Sequence, residues 1–336
     1  MIKFSVLDQS IAVFGKPEDQ AIRDTIALAR LCEDLGFHRF WLSEHHNHPT
    51  ILGTAPEITM AAIAQMTNRI RIGSAGIMLP HYSAFKVAEQ FRVLDAIAPG
   101  RIDMGLGRAP GSDGLTGQAL NPNGRSNSEN FPQNVHDLMS WVSNQPLADQ
   151  HPFRSLQAHP KSNTSPEAWM LGTSDYGARL AAHFGMPYCF AYFITDGQGT
   201  QRALDVYRQN YQPSERFPEP LTSICVWALA ADSEAKAHRI FKPRLHWKLT
   251  RDQGGIEPLH PPEVVDTFEY APQEKTILQR LTSEAIIGTK EQVASSLKSL
   301  ASMFEVDEIV VLTWAYDDDD RRHSYRLLSE AFDLQK

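Results

Sequence analysis

The run Ile70–Pro110, IRIGSAGIMLPHYSAFKVAEQFRVLDAIAPGRIDMGLGRAP, decides how this chain folds. Its first part, Ile70–Leu79, is β-rich and is broken by Pro80. Ala84–Ala96 reads as a helix closed by Pro99-Gly100, and Arg101–Leu106 as a second short strand. Strand, helix, strand in that order is the unit of a parallel sheet. The second strand runs into Gly105-Leu106-Gly107-Arg108, which sets a guanidinium just past its C-terminal end. In barrels built from such units, the loops at that end hold phosphorylated ligands.

The same alternation continues on both sides. Ile2–Leu7 is expected as the first strand, Arg39–Leu42 as the second, Ala168–Leu171 as the fifth and Pro187–Tyr192 as the sixth. Thr222–Ala230 and Glu308–Thr313 complete the set. Helices are expected at Ala21–Leu35, Ala55–Thr67, Ser174–His183, Gln201–Tyr211, from Ser233, at Lys290–Met303 and at Arg321–Phe332. Eight strand–helix units without a break in composition predict an α/β chain closed as a single (β/α)8 TIM barrel. Two stretches do not fit the alternation. Gly111–Phe131, rich in Gly, Asn and Ser, follows strand 4, and Pro243–Ile287 follows strand 7. Both are expected as insertions over the active face, because neither is a short βα loop.

The 336 residues carry a formal net charge of −8, with 42% hydrophobic and 21% charged residues. That balance argues against nonspecific nucleic-acid binding, which needs a basic face. No apolar run approaches the ~20 residues of a membrane span, and the start of the chain lacks the pattern of a signal peptide, so a cytoplasmic location is expected. Cys32, Cys189 and Cys225 are far apart in apolar surroundings and are expected as reduced core thiols. Glu44-His45-His46 directly follows the second strand, where charged and imidazole groups are catalytic candidates. His46-x-His48, with Asp317 after the eighth strand, leaves a metal-dependent hydrolase as a weak alternative.

Four blocks in this order resemble a known family: GFHRFWLSEHH from Gly36, the stretch from Arg69 into Gly111-Ser-Asp113, Leu171–Ala191, and Ala285–Val293. The chain resembles the bacterial-luciferase-like flavin-dependent oxidoreductases, in their alkanal-monooxygenase-like branch, over nearly its whole length. The resemblance implies one barrel domain over residues 1–336. It implies FMN as cofactor, used as FMNH2 delivered by a separate flavin reductase, with dioxygen and a small organic substrate. The family's non-prolyl cis peptide beneath the flavin ring maps to Ala75-Gly76, beside Ser74. Its phosphate-binding arginine maps to Arg108. The rest of its phosphate site maps to Gly172, Thr173 and Ser174, a strand-to-helix turn that suits an anion. Its active-site histidine falls on His45. The luciferase cysteine just before the phosphate arginine is Gly107 here, a departure that speaks against light emission. A homodimer is implied, through helices whose apolar faces include Ile58, Met60, Ile63 and Met66, and Phe85, Val87, Phe91 and Leu94. Relatives using the deazaflavin F420, and non-catalytic flavin binders, stay open as alternatives. The substrate cannot be read, although Trp41, Trp314 and Tyr316 at strand ends are candidates for an apolar lining.

Overall fold

β-Branched and aromatic runs that are apolar on both faces make strands that must be covered on both sides. The strand Thr222–Ala230 shows how this is met. Its nine residues are all buried. Cys225, Trp227 and Leu229 point into one apolar cluster, while Ile224, Val226, Ala228 and Ala230 point into another. The first cluster is the lumen of a barrel and the second is the layer between barrel and helices.

The computed structural model describes residues 2–109, 111–122 and 129–335. Its strands are β1 Lys3–Asp8, β2 Arg39–Leu42, β3 Arg71–Met78, β4 Ile102–Gly107, β5 Glu167–Gly172, β6 Tyr188–Phe190, β7 Thr222–Ala230, β8 Ile286–Gly288 and β9 Glu308–Leu312. All ladders between them are parallel. The order β1-β2-β3-β4-β5-β6-β7-β9, with β9 pairing back to β1, closes an eight-stranded barrel. The expected (β/α)8 barrel is therefore the fold. The short β8 was not foreseen. It pairs with the last three residues of β7, outside the closed ring.

The helices follow in chain order: α1 Glu18–Asp34, α2 Pro56–Met66, α3 Ala84–Ile97, α4 Gly114–Leu120, α5 Phe131–Val142, α6 Asp175–His183, α7 Tyr192–Thr195, α8 Thr200–Asn210, α9 Glu234–Asp252, α10 Pro262–Val265, α11 Pro272–Ser283, α12 Lys290–Phe304 and α13 Asp318–Ala331. One expected boundary is corrected. The excursion after strand 7 does not begin at Pro243, because α9 continues through that proline to Asp252. A proline removes one intrahelical hydrogen bond, and this helix is long and buried enough to absorb the loss. The excursion that follows does lie over the C-terminal face, since Leu259 pairs with Val13 beyond β1 and Thr50 donates to the Glu257 carbonyl. The insertion after strand 4 contains α4, and part of it falls outside the described residues. The apolar faces expected at a dimer interface are mostly spent within the chain. Met60, Ile63, Val87, Phe91 and Leu94 are core, whereas Ile58 and Met66 stay exposed.

The N-terminal end of the lumen is ionic. Arg39 donates to Asp103, Glu167 and Glu308 at 2.9–3.1 Å. Arg71 adds a second guanidinium on Asp103 and Glu167, and Arg216 a third 3.7 Å from Glu167. Trp41 and Trp169 donate their indole N–H groups to Asp103 and Glu167, both at 2.8 Å. Burial alone would raise the Asp103 carboxyl, but the Arg39 and Arg71 guanidiniums outweigh it and hold that carboxyl below its ordinary range. Removing one member of such a layer leaves its partners charged and dry. Arg39→Met should therefore cost about 3–5 kcal/mol in denaturant unfolding. A variant with the wild-type midpoint would refute this. In the wild type, the Asp103 contribution is complete above the ordinary carboxylate pKa of about 4 and is lost as pH falls through its lower folded value.

Candidate active site

The opposite end of the lumen is open. Above the Trp41–Trp169 pair, packed edge to face at 5.1 Å, lies a cavity of about 510 Å³. That is inside the roughly 300–1,000 Å³ range of small-molecule sites. It is lined by His45, Ala75, Gly76, Arg108, Gly172, Thr173 and Ser174. Seven of the eight residues expected at the site thus line one cavity. The eighth, Ser74, is fully buried, and its hydroxyl donates to the Gly105 carbonyl at 3.0 Å. Trp41 and Trp314 also line the cavity. Tyr316 does not, because its hydroxyl donates to the Phe14 carbonyl.

The floor is built by two close glycines. The β3–β4 register shifts between Ser74 and Ile77, and the Ala75–Gly76 peptide within that bulge is cis. A Cβ on Gly105 would lie 2.1 Å from the Ser74 carbonyl oxygen, and one on Gly76 would lie 2.7 Å from the Gly105 oxygen. No larger residue lets these backbones approach, so the wall here is bare peptide, suited to a flat ring.

Beside it, Arg108 leaves the end of β4 exposed and without an ion pair among the described residues. Its guanidinium stacks 4.2 Å from the Tyr176 ring centroid. Tyr176 is in the first turn of α6, so the cation sits next to the free N–H groups of that helix start. Ser174 is the N-cap residue, yet its hydroxyl makes no capping bond. The acidic Asp175 in the same turn is neutralised by Arg202 at 2.6 Å. A guanidinium, two hydroxyls and an open helix N-terminus make an anion site.

The Glu44-His45-His46 run separates into three roles. Glu44 is buried and accepts from the Tyr82 hydroxyl at 2.6 Å, His46 Nε2 at 2.7 Å and the Met78 amide at 3.0 Å. It ties the end of β2 to the end of β3. His46 is spent on that tie. His45 turns to the cavity, with Nδ1 buried and without a partner. Burial, reinforced by His48, pushes its pKa down to about 4 despite Glu44. His48 holds its own Nδ1 against the Thr50 and Ile51 amides. The grouping His46, His48 and Asp317 does not converge. Among the described residues, the one cluster with metal-ligand spacing is His246, Glu257 and His260. The three cysteines are free and buried; Cys189 and Cys225 reach the cavity, and burial pushes the Cys189 thiol up to about 12.

Among the lining residues that escaped the sequence reading are Arg244, Trp247 and Arg251. They occupy i, i+3 and i+7 positions on α9. That spacing is visible in the sequence once the helix is carried through Pro243.

The luciferase-like monooxygenase family profile matches residues 3–304. The chain belongs to that family. It is 42% identical to the uncharacterized protein YwcH of Bacillus subtilis (strain 168), covering 99% of each chain. It is 33% identical to N-acetyl-S-alkylcysteine monooxygenase of the same organism, covering 98% of each. The crystal structure of apo-MsnO8 superposes with a TM-score of 0.89 at 32% identity, covering 99% of both chains. The fold alone is shared with an FMN complex of the oxygenating constituent of 3,6-diketocamphane monooxygenase from Pseudomonas putida and with an F420-dependent secondary alcohol dehydrogenase, at TM-scores of 0.72 and 0.67. No described helix is long and apolar enough to cross a membrane.

The state of His45 is testable directly. A depressed histidine pKa means the unfolded chain binds the extra proton first, so this site weakens folding as pH falls from about 6.5 towards 4. An NMR titration should show the His45 ring neutral at pH 6 and charging near pH 4. A midpoint near 6.5 would contradict the enclosed placement.

Proposed function

We propose that this chain is a flavin-dependent monooxygenase that binds FMN, takes it reduced from a separate flavin reductase, and oxygenates a small organic substrate in the barrel cavity. The observation that carries this is the Arg108–Tyr176 stack, which puts an uncompensated guanidinium beside an uncapped helix start, in the same cavity as Ala75–Gly76 and His45. Arg108, Thr173 and Ser174 fit a phosphomonoester, and the bare Ala75–Gly76 peptide fits the face of a flat ring. Bound reduced FMN supplies the electrons that activate dioxygen.

What the protein adds is orientation, a dry wall and one imidazole. His45, neutral at physiological pH, offers a hydrogen-bond donor at one ring nitrogen and an acceptor at the other. It is the cavity-facing group placed to hold or move a proton. Glu44 acts through position: it fixes the strand end that aims His45 and the β3 end that carries the Ala75–Gly76 peptide. Trp41, Trp314 and Trp247 line the substrate side and exclude water.

Two variants separate anchoring from chemistry. Arg108→Ala should weaken FMN binding by about 1.5–3 kcal/mol, read as quenching of flavin fluorescence, and leave riboflavin binding unchanged. Wild-type protein that binds FMN and riboflavin equally, or that loads F420 in place of FMN, would sink the assignment. His45→Ala should bind FMN as wild type does and lose roughly 10²–10⁴-fold in single-turnover oxygenation with prereduced FMN. Wild-type turnover in that variant would make His45 structural.

We also propose a homodimer. Ile58 and Met66 on α2, and Val93 and Ile97 on α3, are exposed apolar residues on neighbouring helices. The dimer should bury more than about 1,200 Å². Light scattering at micromolar concentration should give twice the chain mass, and a monomer mass would refute the proposal.

A further inference from the structure

The cavity holds a second guanidinium, away from the Arg108 edge. Arg244, on α9, lines the same cavity as Arg108 but on another side. It stacks on Trp227 of β7, 4.3 Å from the ring centroid, and lies 5.8 Å from Trp314, just beyond β9. Round the barrel, β6 separates this edge from the Arg108–Ser174 edge on one side, and β1, β2 and β3 separate them on the other. The two cations therefore serve different parts of the cavity.

Arg244 has no ion pair or hydrogen bond among the described residues, and its Nε is enclosed without a partner. The nearest candidate acid, Asp196, is committed to Lys248 by bonds of 2.6 and 2.7 Å. Arg251, two wall positions further along α9, adds positive potential, although Asp252 pairs with it. The tryptophans take the face of the Arg244 guanidinium. Its in-plane N–H fork is left open. Burial pushes the Arg244 pKa down to about 9, so the group remains cationic at neutral pH. A half-buried cation held by ring faces alone lacks a counter-charge until an anion completes it.

We infer that Arg244 is the recognition site for the carboxylate of the substrate, which is a small organic acid with an apolar body. The carboxylate takes the open fork bidentately. The apolar body lies against Trp247, Trp314, Leu312 and Cys225, pointing its far end towards the Ala75–Gly76 wall. This inference rests on the reading of the cavity as the place where cofactor and substrate meet.

The test uses octanoate and its methyl ester as probes, with the full chain saturated with FMN, and reads tryptophan fluorescence. Octanoate should bind about tenfold or more tightly than the ester, in line with a charge-assisted hydrogen-bond pair. Arg244→Met should remove that preference while leaving FMN affinity at the wild-type value, and Arg244→Lys should restore part of it. Equal binding of acid and ester by the wild type, or a preference that survives in Arg244→Met, would overturn the inference. So would competition between octanoate and FMN together with weakened FMN binding in Arg244→Met, since Arg244 would then belong to the flavin phosphate. The wild-type comparison needs no variant to fold. Repeating it without FMN separates the two readings: an acid preference in a chain that fails to bind FMN would fell the flavin assignment alone.

Discussion

A charge buried in a barrel lumen has to be answered inside the lumen, and the Arg39 layer meets that demand. Arg39 faces three carboxylates drawn from β4, β5 and β9, and two tryptophan N–H groups fill remaining acceptor positions. Each of these residues sits near the start of its strand, on the parity that faces inward. The layer therefore seals the N-terminal end of the lumen and fixes the orientation of Trp41 and Trp169 above it. With one end sealed by ions and indoles, the space that remains must open at the C-terminal end, where the strand-end loops gather. The position of the cavity follows from the plug beneath it.

The same residue type then reads oppositely at the two ends. At the base, the cations Arg39, Arg71 and Arg216 face three carboxylates, and the charges balance without any ligand. At the mouth, Arg108 and Arg244 are each supported by an aromatic face and by no carboxylate. An aromatic face steadies a guanidinium while leaving its N–H edge free, which is the arrangement a ligand anion requires. The partners of each arginine separate the two ends: carboxylates answer the cations at the base, and aromatic faces support those at the mouth.

The sequence was legible where periodicity and punctuation agree. The eight barrel strands stand out as short apolar runs ended by Gly, Pro or charged residues. The Gly105–Arg108 turn was readable from its glycines and its arginine at a strand end, whereas the role of the Gly172–Ser174 turn came from resemblance. The cis Ala75–Gly76 peptide came from resemblance, since nothing in a Ser-Ala-Gly triplet dictates it. Three features were hidden. β8 is too short to show a pattern and pairs with β7 alone. Glu44, His45 and His46 look equivalent in sequence, and their separation depends on Tyr82 and the Met78 amide, more than thirty residues away. An interior proline in isolation reads as a helix stop, so the sequence alone ends α9 at Pro243. Packing of Phe241, Trp247 and Leu249 overrides that local preference.

Pro243 lies in the helix that carries Arg244, the residue proposed to take the substrate carboxylate. The proposed flavin anchors come from β3, β4 and β5 and the turns immediately after them, where Gly76 and Gly105 leave no room for a Cβ. The remaining wall comes from α9, which is held across the mouth by tertiary contacts: Trp247 donates to Thr50 at 2.9 Å and packs edge to face on Trp314 at 4.7 Å. The excursion beyond α9 closes over it through the Val13–Leu259 bridge. A helix pinned by side chains can exchange its inward residues without disturbing the ladder beneath. The i, i+3 and i+7 positions of this one helix are where the cavity lining is set by side chains and not by strand backbone. Arg244, Trp247 and Arg251 are the residues this chain places there.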